Sequence, residues 1–532
     1  MKSITTHTTV MSGAKAAMLG LAVISLVNCS SSDDTTPQVT SGGSAALQGP
    51  LVFVNNTGDK TLTSVALKGD SGNAVLGTIA SAQFENVALG DMQFSEGERV
   101  FVNLGATNKV ATIDPLTGAQ PIHETNLVAG TRPVHMYRDP TDGEVIWVGN
   151  DGDNAAGTTT PGDDLINCNN PARVGGAVTG SSVTILHNSH LGPGSNPPTV
   201  EKTVCILADG HKVAAFPRPT ATNASIPRRT FVSSATAGEI AVIDNEPGSP
   251  TKWQMIGRVD LCNPLKETCN NEAVTPLTTP FTPNTSGPHG IRWSKLTGKV
   301  YSIQEGYGQI AEIDPITLAN TIIIDLATTP YTSYGITPDG RFLLLRGQTL
   351  TPQATKLDVL DLSVTLAVRT DFTIPELDGT APGSFKFSPD GKRFYILAGG
   401  GASAAAATKK DRLFAFDSST LTATPAALTL LRDIPLVVTG AGSHNLDVLV
   451  QGSGEAKYVV VSNSTDNSIS IINATDNQEK QKVTVGPTPG GVMVYEPGAA
   501  SAGNQATSSL KVPSKAKPSV SSDQLDDHGM PK

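Results

Sequence analysis

One phrase recurs along this chain and narrows what the chain can fold into. In its clearest form, from Gly383, it reads GSFKFSPDGKRFYILAGG. Phe385 and Phe387 alternate with polar neighbours, the chain turns on Ser388-Pro389-Asp390-Gly391, and a second apolar strand covers 393–397. A third strand, DRLFAFD, follows at 411–417. Alternation with period two, broken by Pro-Asp-Gly, predicts a hairpin, because Pro presets φ and Gly accepts a positive φ. The phrase returns as YTSYGITPDGRFLLL, HGIRWSKLTGKVYSI, GDMQFSEGERVFVNL, VHMYRDPTDGEVIWVGN and HNLDVLVQGSGEAKYVVVSN. Most copies lead into a third strand of the kind KLDVLDL, QIAEIDP, KVATIDP or SISIINATD. Three strands and a returning fourth make one antiparallel blade, and repeated blades make a β-propeller.

The blades can be counted at the start of each innermost strand, at Gly90, His135, His211, His289, Thr332, Gly383, His444 and Gly490. This gives eight blades, or seven if the irregular fourth, with its long Pro-rich first turn, is misread. The first three strands, LVFVNN, SVALKG and AVLGTI, lack an innermost partner, and GGVMVYEP at 490–497 lacks outer ones. Pairing the two ends would close the ring and remove exposed edges. All-β architecture agrees with 52 Gly, 36 Pro and 16% charged residues. The SPDG-like turn, the endings Val102-Asn103 and Val461-Ser462-Asn463, and the third-strand pairs Ile113-Asp114, Ile243-Asp244 and Ile313-Asp314 resemble the YVTN-type β-propeller repeat family. The resemblance spans residues 50–497 and implies a fold rather than an activity, since propellers host many activities.

The ends of the chain read differently. Lys15 precedes the apolar run 16–27, which is too short to span a membrane. Leu26-Val27-Asn28-Cys29 resembles a bacterial lipobox, although Asn28 departs from the usual small residue. Residues 1–28 are therefore expected to be a signal peptide and Cys29 a lipidated N-terminus, with Ser30 resembling outer-membrane sorting. Residues 29–49 read as a flexible polar tether and 498–532 as a disordered tail. Losing Lys2 and Lys15 with the signal takes the formal charge from −10 to −12. Such an acidic chain, with no basic run among aromatics, argues against nucleic acid as a partner.

Four cysteines remain, Cys168, Cys205, Cys262 and Cys269, an even number that reads as disulfides in an exported chain. Of the three possible connectivities, the short loop Cys262–Cys269 is the natural pair, leaving Cys168 with Cys205. A metal thiolate site is the rival, but no C-x-x-C occurs, and the absence of C-x-x-C-H argues against covalent c-type haem.

His135, His211, His289 and His444 occupy four of the eight counted positions, at the mouth of the central channel. Loops after the second strands should share that face, bringing Asp151, Asp153, Asp163, Asp164, Glu305 and Tyr307 to it. His187 and His190 should lie on the opposite face. Imidazoles beside carboxylates suit a metal, a haem iron or acid–base work. Asp151 and Asp153 also suit calcium, though without EF-hand spacing. The reading that follows is a monomeric cell-envelope lipoprotein, a scaffold binding an envelope protein or small ligand through its loop-rich face. A metal- or haem-dependent redox protein is the alternative, resembling in architecture the haem-binding propeller of cytochrome nitrite reductase. A lactonase-like hydrolase comes third, without Gly-x-Ser-x-Gly or His-Glu-x-x-His to support it.

Overall fold

The computed structural model describes residues 49–95, 99–114, 123–152, 180–188, 197–207, 213–269, 281–326, 331–350, 352–364, 368–399, 411–423, 426–436, 443–450 and 454–496. They form eight four-stranded antiparallel sheets arranged in a ring. The fold is an eight-bladed β-propeller. Blade 1 joins the two ends of the ring: Leu51–Asn56 pairs on one side with Thr61–Ala66 and on the other with Pro489–Tyr495. Blades 2 to 8 begin at the inner strands Met92–Phe94, Pro133–Arg138, Ala214–Ala215, Pro288–Trp293, Tyr331–Ile336, Ala381–Phe387 and Ser443–Val450. Blade 4 is the irregular one, its inner strand only two residues long before the Pro-rich turn.

The core lies in layers between blades. Val52, Val54, Val460 and Ile471 pack between blades 8 and 1, and Tyr395, Leu413, Val459 and Val461 between blades 7 and 8. Phe387 and Phe394 meet at 4.9 Å within the layer of blades 6 and 7. Each sheet is apolar on both faces, so second strands such as 100–104 and 145–150 are buried throughout instead of alternating.

The repeated residues have local work to do. In the first turn of blade 7 the Ser388 hydroxyl donates to Asp390 Oδ1 (2.6 Å), which also accepts the Lys392 N–H (3.1 Å). Gly391 closes the turn at φ +73°. Blade 6 repeats this with Thr337, Asp339 and Arg341. The aspartate ending the third strand folds the next turn: Asp314 Oδ1 accepts the N–H groups of Ile316 (2.7 Å) and Thr317 (2.9 Å).

The asparagine ending the second strand is a cross-strand clamp. Asn463 Nδ2 donates to Ser468 Oγ (3.2 Å) and Ser470 Oγ (2.8 Å). Asn56 does the same to Thr61 and Thr63, and Asn150 to Ser182 and Thr184. The residue before it latches blades together. Ser462 donates to Gly490 O, and Asn55 to Leu89 O and Gly90 O, each on the next blade. Arg346 reaches Gly383 O in the same way. Pairing of Val102 with Ala111 and Asn103 with Val110 puts Asn103 at this latch position, not at the clamp position of Asn463. The two asparagines of the family-like ending are thus one residue out of step.

Candidate functional site

The inner strands of six blades carry a register irregularity that decides where their side chains face, while the described pairs of blades 2 and 4 run in register. In blade 5 the register passes from Pro288↔Gln304 to Gly290↔Ile303, leaving His289 as the extra, bulged residue. In blade 6 the corresponding backbone position is Thr332, between Tyr331↔Gly347 and Ser333↔Arg346. His444 sits within the irregularity between Ser443↔Asn463 and Leu446↔Val461, and its side chain lies outside the described residues, as does all of His211. Blade 3 departs from expectation. There the register passes from Pro133↔Asn150 to His135↔Gly149, so the bulged residue is Val134 and His135 matches Gly290 rather than His289. The other counted residues stand two before the first apolar residue of their strand, whereas His135 stands one before Met136, so the same count applied there gives Val134. A shift of one residue turns the side chain to the other side of the strand.

The two described imidazoles nevertheless share a chemistry. His135 is buried, 3% exposed, and its Nδ1 lies 2.9 Å from Asp91 Oδ2 on blade 2. His289 is about one-third exposed, and its Nδ1 lies 2.8 Å from Glu305 Oε1. Glu305 is placed by backbone docking: its N–H donates to Gly287 O (3.0 Å), and that of Gly306 to Ser286 O (2.9 Å). A Cβ on Gly306 would sit 1.8 Å from Thr285 O, so the close approach requires glycine. The expectation that second-strand loops reach the histidine face is met at this pair.

Tyr307, two residues on, is buried and donates its hydroxyl to Glu267 Oε1. The same oxygen accepts the Thr285 N–H at 2.8 Å. Burial, then the Glu267 carboxylate, push the Tyr307 hydroxyl up to about 12. Burial works to raise the Glu267 carboxyl too, but the Tyr307 and Thr285 donors hold it below the ordinary range. Glu267 had no signal of its own in the sequence. It is delivered by the Cys262–Cys269 disulfide loop, in which Asn263 Oδ1 accepts the Leu265 N–H and Asn263 Nδ2 donates to Gln309 Oε1. Cys205 is also disulfide-bonded, and Cys168, the partner expected for it, lies outside the described residues.

Asp151 is mostly buried, and its carbonyl accepts from Arg132 Nη2 at 3.1 Å. Asp153, Asp163 and Asp164 lie outside the described residues, as do Cys29 and His190. His187 pairs with Val145 at the end of blade 3 opposite to Asn150, on the other face as expected. Among the described residues, no three His, Cys, Asp or Glu side chains gather as a metal ion would require. The opposite face holds a cleft of about 320 Å³ between blades 3 and 4, with Asp142, Lys252 and Trp253 in its wall. The Lys252 ammonium lies 4.0 Å over the Trp253 ring.

No protein-family model matches the chain, and no curated protein matches it in sequence. Solved structures similar to it are β-propeller proteins. Apo AztD from Citrobacter koseri is 14% identical, with 84% of this chain and 98% of that one covered, at a TM-score of 0.47. The dihydro-haem d1 dehydrogenase NirN is 13% identical over 83% of this chain and 74% of its own, at 0.49. The periplasmic gluconolactonase PpgL of Pseudomonas aeruginosa is 15% identical over 84% and 99%, at 0.44. At these identities the likeness is one of architecture.

Proposed function

We propose that this chain is an exported, lipid-anchored propeller of the YVTN type that acts as a binding scaffold at the cell envelope. It takes an envelope protein or a small ligand on the histidine-bearing face. The observation that carries the reading is the pair of polar contacts His289–Glu305 and Tyr307–Glu267 at one end of blade 5, with a disulfide loop holding Glu267. Polar groups positioned by a rigid scaffold are what a recognition surface needs. A photo-crosslinking residue at Glu305 should trap a partner in cells, whereas the same residue at Thr141 on the opposite face should not. Equal trapping from both faces would sink this reading.

One observation favours the redox or metal alternative. His135 and His289 each place Nδ1 beside a carboxylate, which sets Nε2 on the far side of the ring. A carboxylate hydrogen-bonded to one ring nitrogen orients an imidazole to bind a metal through the other. The donor types suit zinc or a haem iron. Equilibrium dialysis against Zn²⁺ and titration with haemin, on wild type and His289→Ala, test it. Retention of either by wild type and its loss in the variant would support the alternative; no retention by wild type would remove it.

A further inference from the structure

The cleft between blades 3 and 4 is walled by groups that other blades keep occupied. In the first turns of blades 6 and 7, Asp339 and Asp390 each accept a hydroxyl, from Thr337 and Ser388, and an N–H, from Arg341 and Lys392. The Lys392 ammonium also lies 3.4 Å from Asp390 Oδ2. Blade 3 puts Asp139 where those hydroxyls stand. Its buried carboxylate is already supplied with donors, from Trp147 Nε1, Asn245 Nδ2 and the N–H groups of Thr141 and Asp142. Asp142, half-buried, keeps one donor, the Glu144 N–H at 3.2 Å. On the blade 4 wall, the turn after the third strand holds Trp253 at φ +63°, as blade 5 holds Leu318. Their N–H groups donate to Asp244 O (2.7 Å) and Asp314 O (2.9 Å). Leu318 is buried, but Trp253 is only half-buried and lines the cleft, with the Lys252 ammonium over its ring. Among the described residues neither Asp142 nor Lys252 has an ion-pair partner, and Trp253 Nε1 meets no acceptor.

We propose that this cleft binds a small zwitterion, an amino acid or a short peptide. Its ammonium pairs with Asp142, its carboxylate with Lys252, and its side chain packs against the Trp253 indole. Charge decides the class. An anion meets Asp142 and a cation meets Lys252, so a ligand of one sign gains one attraction and suffers one repulsion. A neutral sugar shields both charges from water and supplies no counter-charge. A zwitterion pairs both at once, and partial burial makes each pair stronger than it is in open water. Thr141 and Asn245, also in the wall, add neutral polar contacts. The volume of about 320 Å³ lies at the small end of the range for small-molecule sites. The cleft lies on the face opposite the histidines, so this assignment stands apart from the scaffold reading.

Isothermal titration calorimetry of the full purified chain with the standard amino acids, alanyl-alanine and glycyl-phenylalanine tests it. At least one should bind, and which ones bind separates an amino acid from a peptide as the source. Glucose and N-acetylglucosamine, as neutral probes, should not bind. For the tightest ligand, Asp142→Asn and Lys252→Met should each weaken binding roughly tenfold or more. Acetylating the ligand's ammonium or methylating its carboxylate should do the same. Lys392→Met, in the equivalent turn of blade 7, should leave binding unchanged. Thermal melts of the variants check that the ring is intact. Binding by none of the zwitterions, binding of a neutral sugar instead, affinity that survives both charge substitutions, or equal loss in Lys392→Met would overturn the proposal.

Discussion

The clamp asparagine of blade 8 offers a quantitative test of how the repeat is held together. Asn463 is fully buried and donates from Nδ2 to two hydroxyls, Ser468 Oγ at 3.2 Å and Ser470 Oγ at 2.8 Å. Asn463→Ala removes both bonds and leaves Ser470, itself fully buried, without that donor. A typical internal hydrogen bond contributes about 1 kcal/mol, and a buried group left without its partner costs about 1–3 kcal/mol. Among the described residues none donates to Asn463 Oδ1, so removing it returns part of that cost. The expected net loss is about 2 kcal/mol. Equilibrium urea unfolding measures it, and hydrogen exchange should locate the loosening at strands 456–463 and 468–473. Ser470→Ala and the double variant complete a cycle, in which residues sharing one bond should couple by about 0.5–3 kcal/mol. A loss below about 0.5 kcal/mol, or additive single effects, would refute the clamp.

The remaining predictions concern charge, covalent links and the histidine face. Asp314 is held at about 2 although burial works to raise it, because Lys299 and the Thr317 and Ile316 N–H groups stabilise its charge. Its stabilisation is therefore complete above about pH 4 and lost as pH falls through about 2, so Asp314→Asn should lower stability by about 1–2 kcal/mol at pH 7 and little at pH 2, by urea titration. Cys262→Ser with Cys269→Ser should cost no more than about 3 kcal/mol, as the loop is short, and should free the Tyr307 hydroxyl to titrate closer to 10 in an absorbance titration. If Zn²⁺ is retained, its affinity should fall below about pH 6.5 as imidazoles protonate, read by dialysis at graded pH. Cys29→Ala should release the chain from membranes in fractionation, and a wild type already soluble after export would refute the anchor.

Much of the ring could be read from the sequence because its causes are local. Pro-Asp-Gly turns, alternating apolar residues and third-strand aspartates each act within a few residues, so their recurrence counts eight blades. Ring closure was also legible: the first three strands lacked an inner partner and Pro489–Tyr495 lacked outer ones, and each completes the other. Blade 4 announced its irregularity through the proline-rich turn that shortens its inner strand to two residues.

The candidate site was legible only in part, for a physical reason. A β-bulge has no composition of its own, and the one cue that Val134, not His135, takes the position of His289 is spacing: each stands two before the first apolar residue of its strand, Met136 and Ile291. Glu267 had no reason to meet Tyr307, 40 positions away, until the disulfide loop and the Gly306 turn brought them together. Local turn chemistry and periodicity set the number and order of blades. Register and long-range packing, whose free energy comes from contacts between distant segments, set which side chains face one another.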